Sequence, residues 1–173
     1  MAETMLLPQA ASVSIVRAPD MHRWIFRGGA AAAAECGRLF GVELPQAACR
    51  ANASHGRAAL WLGPDEWLLL RGGADAFDAD ALMLDHSLVD ISHRQIGLEV
   101  SGPAAARLLN SFIMLDLDAA AFNAGSCSRT LFGKTEIVLW RKGAETFHVE
   151  VWRSYAGYVT GLLSEACKDL AGG

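Results

Sequence analysis

Asp85-His86-Ser87-Leu88-Val89-Asp90-Ile91-Ser92-His93-Arg94 gathers carboxylates, imidazoles and hydroxyls in one short run. Such residue types could form a nucleophile–base–acid relay or a set of metal ligands. Their spacing argues against both. In a strand, neighbouring side chains leave on opposite faces, so Asp90 and Ser92 share one face while Ile91 and His93 share the other. No strained Gly-x-Ser-x-Gly turn is there to expose a serine, and no His-Glu-x-x-His helix to hold a zinc ion. The run is therefore expected to be a strand end whose polar side chains satisfy nearby backbone groups.

The tryptophans Trp24, Trp61, Trp67, Trp140 and Trp152 could stack on a flat ligand such as a pterin or flavin. All lie in strand-like runs, so core packing is expected for most, with one or two facing a partner. The expected partner-facing positions are Trp67, on the hairpin Leu60–Leu70, and Arg153. Arg141 and Arg153 could neutralise a glutamyl or phosphate group, but solvated arginines are the simpler reading. A P-loop, a dinucleotide fingerprint and a thiol–His arrangement are all missing from the sequence. The residues by themselves thus assign no catalytic, cofactor-binding or metal site.

The elements that must position these residues follow from pattern and punctuation. Val13 to Val16 reads as a short strand and Trp24 to Arg27 as another; the stretch Arg23 to Arg27 is expected to be a strand with exposed arginines. Ala30 to Phe40 is a helix former closed by Gly41 at the C′ position. Leu60 to Leu62 and Trp67 to Leu70 flank Gly63-Pro64-Asp65-Glu66, a turn in which proline sets φ and glycine takes the strained position. Ala76 to Leu84 is expected to form a short helix capped by Asp75 or Asp78. Ser87 to Ile91 and Leu98 to Val100 read as strands, and Pro103 as the first position of a helix carrying Leu108, Leu109 and Phe112. Residues 127 to 132, 136 to 141 and 146 to 152 alternate as an antiparallel meander. Ser154 then opens a helix whose Val159, Leu162, Leu163, Ala166 and Leu170 form one stripe. Gly157 and Gly161 within it suggest close backbone approach.

Much of this is said twice. Leu60 to Ala74 aligns with Thr130 to Ala144, matching Gly63, Glu66, Leu69, Arg71, Gly73 and Ala74 with Gly133, Glu136, Leu139, Arg141, Gly143 and Ala144. Upstream, Trp24 to Ala31 reads against Gly97 to Ala104. A repeated order of elements at near-constant offset marks a duplicated supersecondary unit. The expected fold class is α+β: a single domain over 1–173 made of two pseudo-symmetric halves of antiparallel sheet packed with helices, about 12–86 and 87–170.

At 52% hydrophobic and 20% charged, the 173 residues can build a core. A net charge of −4 without a basic stripe excludes a nucleic-acid binder. No run approaches a membrane span, and the N-terminal residues lack the pattern of a secretory signal. Residues Met1 to Ala11 read as a loosely docked lead-in. Cys36, Cys49, Cys127 and Cys167 show neither paired nor zinc-type spacing, so reduced thiols in a cytoplasmic protein are expected.

Val89-Asp90-Ile91-Ser92-His93-Arg94, followed by Leu98-Glu99-Val100-Ser101-Gly102-Pro103, resembles the folate-binding aminomethyltransferase superfamily that includes the glycine-cleavage T-protein. A fuller resemblance is to the γ subunits of heterotetrameric sarcosine oxidase. It rests on Leu60 to Leu69, Val89 to Arg94, Leu115 to Phe122 and Val149 to Ala156. That resemblance implies a folate-binding aminomethyltransferase-like fold in a cytoplasmic complex with α, β and δ subunits. The complex would oxidise the N-methyl group of sarcosine, yielding glycine, hydrogen peroxide and either formaldehyde or methylene-tetrahydrofolate. FAD, FMN, NAD, tetrahydrofolate and zinc would belong to the other subunits, none to this one. The T-protein's N-terminal catalytic and folate-contacting segment and its C-terminal barrel have no counterpart here. In place of the Lys-Gly-Cys-Tyr-x-Gly-Gln-Glu motif of the tRNA-modifying branch stands Ala124-Gly125-Ser126-Cys127-Ser128-Arg129-Thr130. No catalytic residue is transferred, and the resemblance implies an assembly subunit. A stand-alone folate-binding one-carbon protein and the γ-like subunit of a related N-methyl amino-acid dehydrogenase are the alternatives.

Overall fold

The computed structural model of the protein describes residues 9–10, 12–73, 77–78 and 80–171. Strands β1 (Gln9–Ala10), β2 (Val13–Arg17) and β3 (Met21–Gly28) lead into helix α1 (Ala30–Phe40). Strands β4 (Ala51–Ser54), β5 (Arg57–Gly63), β6 (Glu66–Gly72), β7 (His86–Asp90) and β8 (Gln95–Ser101) precede helix α2 (Ala105–Asn110). Strands β9 (Cys127–Phe132), β10 (Thr135–Gly143) and β11 (Thr146–Trp152) form the expected meander. A 3₁₀ turn (Arg153–Tyr155) then runs into helix α3 (Ala156–Ala171).

Two antiparallel sheets result, ordered β1-β2-β8-β11-β10-β9 and β4-β5-β6-β3-β7. Their inner faces meet through Leu60, Leu68, Leu70 and Ile91 on one side and Cys127 and Val138 on the other. The outer face of the second sheet carries Phe26, Trp67 and Leu69 against Ala33, Cys36 and Phe40 of α1. That of the first carries Leu98, Leu139 and Val149 against Leu108, Leu109, Val159 and Leu163 of α2 and α3. The order is helix, sheet, sheet, helices, so the central strands are covered on both faces. Each fully buried large side chain contributes about 1.5–3 kcal/mol.

The duplication is present, with an exchange. Strands β3, β4, β5 and β6 correspond to β8, β9, β10 and β11 in sheet position, and α1 to α2. Yet β2 joins the sheet of β8, and β7 joins the sheet of β3. Each half lends its first strand to the other's sheet, so the halves 12–86 and 87–170 are not the two sheets. The sequence echo also sits one hairpin out of place. It matches Gly63 with Gly133, but Gly133 has φ +57° and Gly63 is outside the left-handed region. The equivalent of Gly63 is Gly143. Both lie at register shifts, between Trp61 and Gly63 and between Arg141 and Gly143. Gly28 N–H donates to Asp65 O as Gly102 N–H does to Glu145 O. The pseudo-twofold axis passes the Arg50–Ser126 bridge, where Ala51 N–H donates to Gly125 O at 2.8 Å and Cys127 N–H to Cys49 O at 2.9 Å.

Other local expectations divide. Gly41 closes α1 with φ 79° and its N–H on Gly37 O. Ser154 does not cap a helix, because the chain enters α3 through the 3₁₀ turn, which has no side-chain cap. Helix α2 starts two residues after Pro103, beyond the turn at Gly102 (φ 117°). Of the expected helix Ala76 to Leu84, Ala76, Ala79 and the proposed cap Asp75 lie outside the described residues, and none of the described ones is helical. Of the lead-in Met1 to Ala11, only Gln9 and Ala10 are described, and they pair with β2.

Candidate functional site

Where β3 begins, β7 ends and β8 begins, the sheets part to leave a cleft of about 570 Å³. Its walls include Arg17, His22, Asp90, Gln95 and Arg153, with Arg23 at the base. Asp90 and Ser92 reach it because strand β7 stops there and the chain turns. Ser92 N–H donates to Asp90 Oδ1 at 2.8 Å, and Arg23 N–H donates to Ser92 Oγ at 2.9 Å. The Ser92 N–H holds the Asp90 carboxyl below the usual carboxylate range against the opposing effect of burial, with lesser help from the Ser92 side chain, His22 and His93. His86 Nδ1 lies 2.7 Å from Leu84 O. The polar cluster therefore serves the backbone, as its alternation implied, and no hydroxyl–imidazole bond of a nucleophilic relay is formed among the described residues.

Below the cleft lies a group that sequence reading missed. Arg23 Nε donates to Glu150 Oε2 at 2.6 Å, and His148 Nε2 lies 2.7 Å from Glu150 Oε1. Arg23 is 4% exposed, His148 2% and Glu150 0%. The expectation of exposed arginines on β3 is thus corrected: Arg27 is exposed, but Arg23 points between the sheets. Burial pushes the Glu150 carboxyl up, and is outweighed by the hydrogen bonds and charges of His148 and Arg23, which leave it below the ordinary range. His148 also lines a second cleft of about 500 Å³, with His55, Trp140 and Leu70. The ion group is a partition between two openings. Its signal in the sequence was the pair His148 and Glu150, spaced by two in an otherwise apolar strand, opposite Gly97.

The partner-facing expectation at Trp67 is overturned for this chain. Trp67 is 1% exposed, and its Nε1 donates to Pro45 O at 2.8 Å. Its position on β6 points it at α1, so the tryptophan that reaches solvent is Trp152, 40% exposed at the end of β11. Trp24, Trp61 and Trp140 are half-buried. Arg153 is exposed; its Nε donates to His93 O and its N–H to Arg94 O. Arg141 is not a solvated arginine. It is buried, and donates to the carbonyls of Leu117, Phe122, Gly143 and Ala144.

Capacity for catalysis is sparse. Burial pushes the thiols of Cys36 and Cys127 up to about 12 and raises that of Cys167, which makes them poor nucleophiles. No group of three or more His, Cys, Asp or Glu among the described residues could hold a metal ion. The cleft does offer the Asp90 carboxylate to a bound molecule; Gln95 also lines it, with its Oε1 buried and without a hydrogen-bond partner among the described residues.

The model of the sarcosine oxidase gamma subunit family matches residues 27–169. The chain belongs to that family. A gamma subunit from Corynebacterium sp. (strain P-1) is 32% identical over 149 residues, 83% of this chain and 72% of that protein. One from Arthrobacter sp. is 33% identical over 126 residues, 70% of this chain and 62% of its own length. A chain of heterotetrameric sarcosine oxidase from Corynebacterium sp. U-96, solved with pyrrole 2-carboxylate, superposes with a TM-score of 0.86 at 24% identity, covering 95% of this chain and 88% of that one. The aminomethyltransferase T of the glycine cleavage system from Bartonella henselae superposes at 0.62 and 15% identity, over 89% of this chain and 46% of that one. Both likenesses establish the fold. This gamma-family chain therefore has an aminomethyltransferase-like fold. No helix among its described residues is long and apolar enough to cross a membrane.

Proposed function

We propose that the chain is a non-catalytic assembly subunit of a heterotetrameric sarcosine oxidase, which demethylates sarcosine to glycine with tetrahydrofolate as the one-carbon acceptor. Membership of the gamma subunit family over 27–169 is the observation that carries this reading. The residues agree with it. Three of its cysteines are buried with raised pKa values, and in the cluster Asp85 to Arg94 the Asp90 carboxylate and the Ser92 hydroxyl accept from backbone N–H groups. In this reading the partners are α, β and δ subunits, which carry FAD, FMN, NAD, tetrahydrofolate and zinc, and the complex works in the cytoplasm.

The test is affinity capture of the tagged chain from its native cells, with subunit identification and an absorbance spectrum of the eluate. A yellow eluate containing larger companions, and oxidising sarcosine, is expected. A colourless, solitary protein, or sarcosine oxidation by the isolated chain, overturns the proposal.

The Asp90 carboxylate in the cleft favours one second reading, a folate-binding protein acting alone. Saturable tetrahydrofolate binding to the isolated chain, lost in Asp90→Ala, is its signature. A flat titration removes it.

A further inference from the structure

Around the end of β11 the chain presents a small surface of unusual composition. Trp152 is 40% exposed and Val89 52%. Between them the sheets open into a third cleft of about 330 Å³, lined by Ile25, Leu68, Ile91 and Val138, with Glu136 and the Glu66–Arg129 ion pair also in its wall. The Arg94 guanidinium lies 5.1 Å above the Trp152 ring. Arg153 stands beside it, fixed by its N–H on Arg94 O at 2.8 Å and its Nε on His93 O at 3.0 Å. Among the described residues neither guanidinium has a carboxylate partner. The exposed cations Arg17, Arg27 and Lys168 are each paired with one, whereas the exposed Arg107 and Lys134 are not, among the described residues. On a chain of net charge −4, two guanidiniums without a carboxylate partner thus stand beside an exposed tryptophan at the mouth of a largely apolar cleft.

Tryptophan and arginine are the residue types that dominate binding energy at protein interfaces. Stacking of the Arg94 guanidinium on Trp152 and the bond from Arg153 Nε to His93 O pre-order both side chains, which lowers the ordering cost of association. The edge position of β7, paired only with β3 among the described residues, leaves Val89 uncovered. A second copy of this chain would fit poorly. A twofold interface places each patch on itself, and so would set Arg94 and Arg153 against their own copies. The charge asks for an acidic partner.

We infer that the surface formed by Val89, Arg94, Trp152 and Arg153 docks a different subunit, one that inserts an apolar side chain between the sheets and meets the two guanidiniums with carboxylates. This deepens the assembly role and rests on it.

The test co-expresses the full set of subunits with the tagged chain and measures how much partner is retained on capture. Arg94→Glu/Arg153→Glu and Trp152→Ala are each expected to lower retention at least tenfold. Retention of the wild type should fall as salt is raised, since the contact is between opposite charges. Arg107→Glu/Lys134→Glu, with the same change in net charge on other exposed sites, should retain partners like the wild type. Thermal melts of the isolated variants matching the wild type separate docking from folding. Normal retention in both surface variants overturns the inference while leaving the assembly role standing. So does a wild-type homodimer that the same substitutions dissociate. If the wild type itself retains no flavoprotein, the assembly role fails, and the docking surface with it.

Discussion

Gly97 stands opposite Glu150 in the β8–β11 ladder, and a Cβ on it would lie 3.0 Å from Glu150 Oε1 and 2.8 Å from the His148 ring. It would also come within 2.9 Å of Ala18 Cβ. The absent side chain is the space in which the buried ion group sits. Gly97→Ala must displace the imidazole, the carboxylate or the chain end after β2, and overpacking of this kind costs about 1–3 kcal/mol. A urea unfolding midpoint lowered to match is expected. A midpoint equal to the wild type's would mean that the group rearranges freely and is not fixed by close packing.

Glu150 makes the same group sensitive to acid. Its folded pKa lies below the ordinary value of 4.5, so the unfolded chain binds the proton more readily. The stability it contributes is complete above the ordinary carboxylate range and is lost as pH falls through the folded value. Glu150→Ala leaves Arg23 buried without its counter-charge and should cost about 3–5 kcal/mol at neutral pH. Glu150→Gln keeps the shape but removes the titration. Urea unfolding across the acid range should therefore show a shallower loss of stability in Glu150→Gln than in the wild type. Parallel slopes would assign the acid sensitivity to other carboxylates.

These two residues also show how far the sequence could be read. The strand expected over Trp24 to Arg27 lies inside Met21–Gly28, alternation located Thr146–Trp152, and Gly41 marked the end of α1. Alternation gives only the two faces of a strand, however, and a polar face is normally the wet one. Here the second sheet covers it, so Arg23, His148 and Glu150 are buried together, a fact that depends on pairing across more than a hundred residues. Trp67 was misplaced for the same reason: both faces of β6 are inside, so no side of that hairpin strand was free. The repeat was legible as a repeat. Its register was not, since similar glycine turns follow both β9 and β10 and only the bulges at Gly63 and Gly143 show which one is equivalent.

Arg141 holds the long connection between α2 and β9. Its Nη1 donates to Leu117 O at 3.0 Å and Phe122 O at 2.8 Å, and the guanidinium lies 4.9 Å over the Phe147 ring. Lysine cannot replace the set, because its one, less far-reaching nitrogen cannot bond these two carbonyls together with Gly143 O and Ala144 O, which Nε and Nη2 hold in arginine. Arg141→Lys should cost about 2 kcal/mol or more, given the value of hydrogen bonds from a charged donor. Limited proteolysis should then cut first between residues 111 and 126. A variant cut in the wild-type pattern would show that Asn110, whose Nδ2 donates to Leu115 O at 2.6 Å, suffices to hold the segment.

Thiol accessibility separates Cys49 from the rest. Cys49 is exposed on the chain that forms the pseudo-twofold bridge, with φ 58°, while Cys36, Cys127 and Cys167 are buried. Buried thiols whose pKa is raised are slow to react. A mild alkylating reagent should modify Cys49 in the native protein and all four cysteines only after denaturation. Rapid native modification of Cys127 would mean that the β4–β9 contact opens readily.

Gly157 and Gly161 lie on the exposed side of α3, and a Cβ at either would meet nothing within 4 Å. The close backbone approach that their spacing suggests is not made in this chain. Glycine within a helix costs about 1 kcal/mol relative to alanine. Gly161→Ala should therefore raise stability by roughly 0.5–1 kcal/mol, and Gly157→Ala by less, because it sits in the first turn where fewer hydrogen bonds depend on it. Circular-dichroism melts of both variants check this. If the isolated chain gains stability but the captured complex loses partners, the glycines mark a face that another subunit approaches closely, a second contact apart from Trp152. If both properties are kept or improved, that side of α3 faces solvent in the assembly as well.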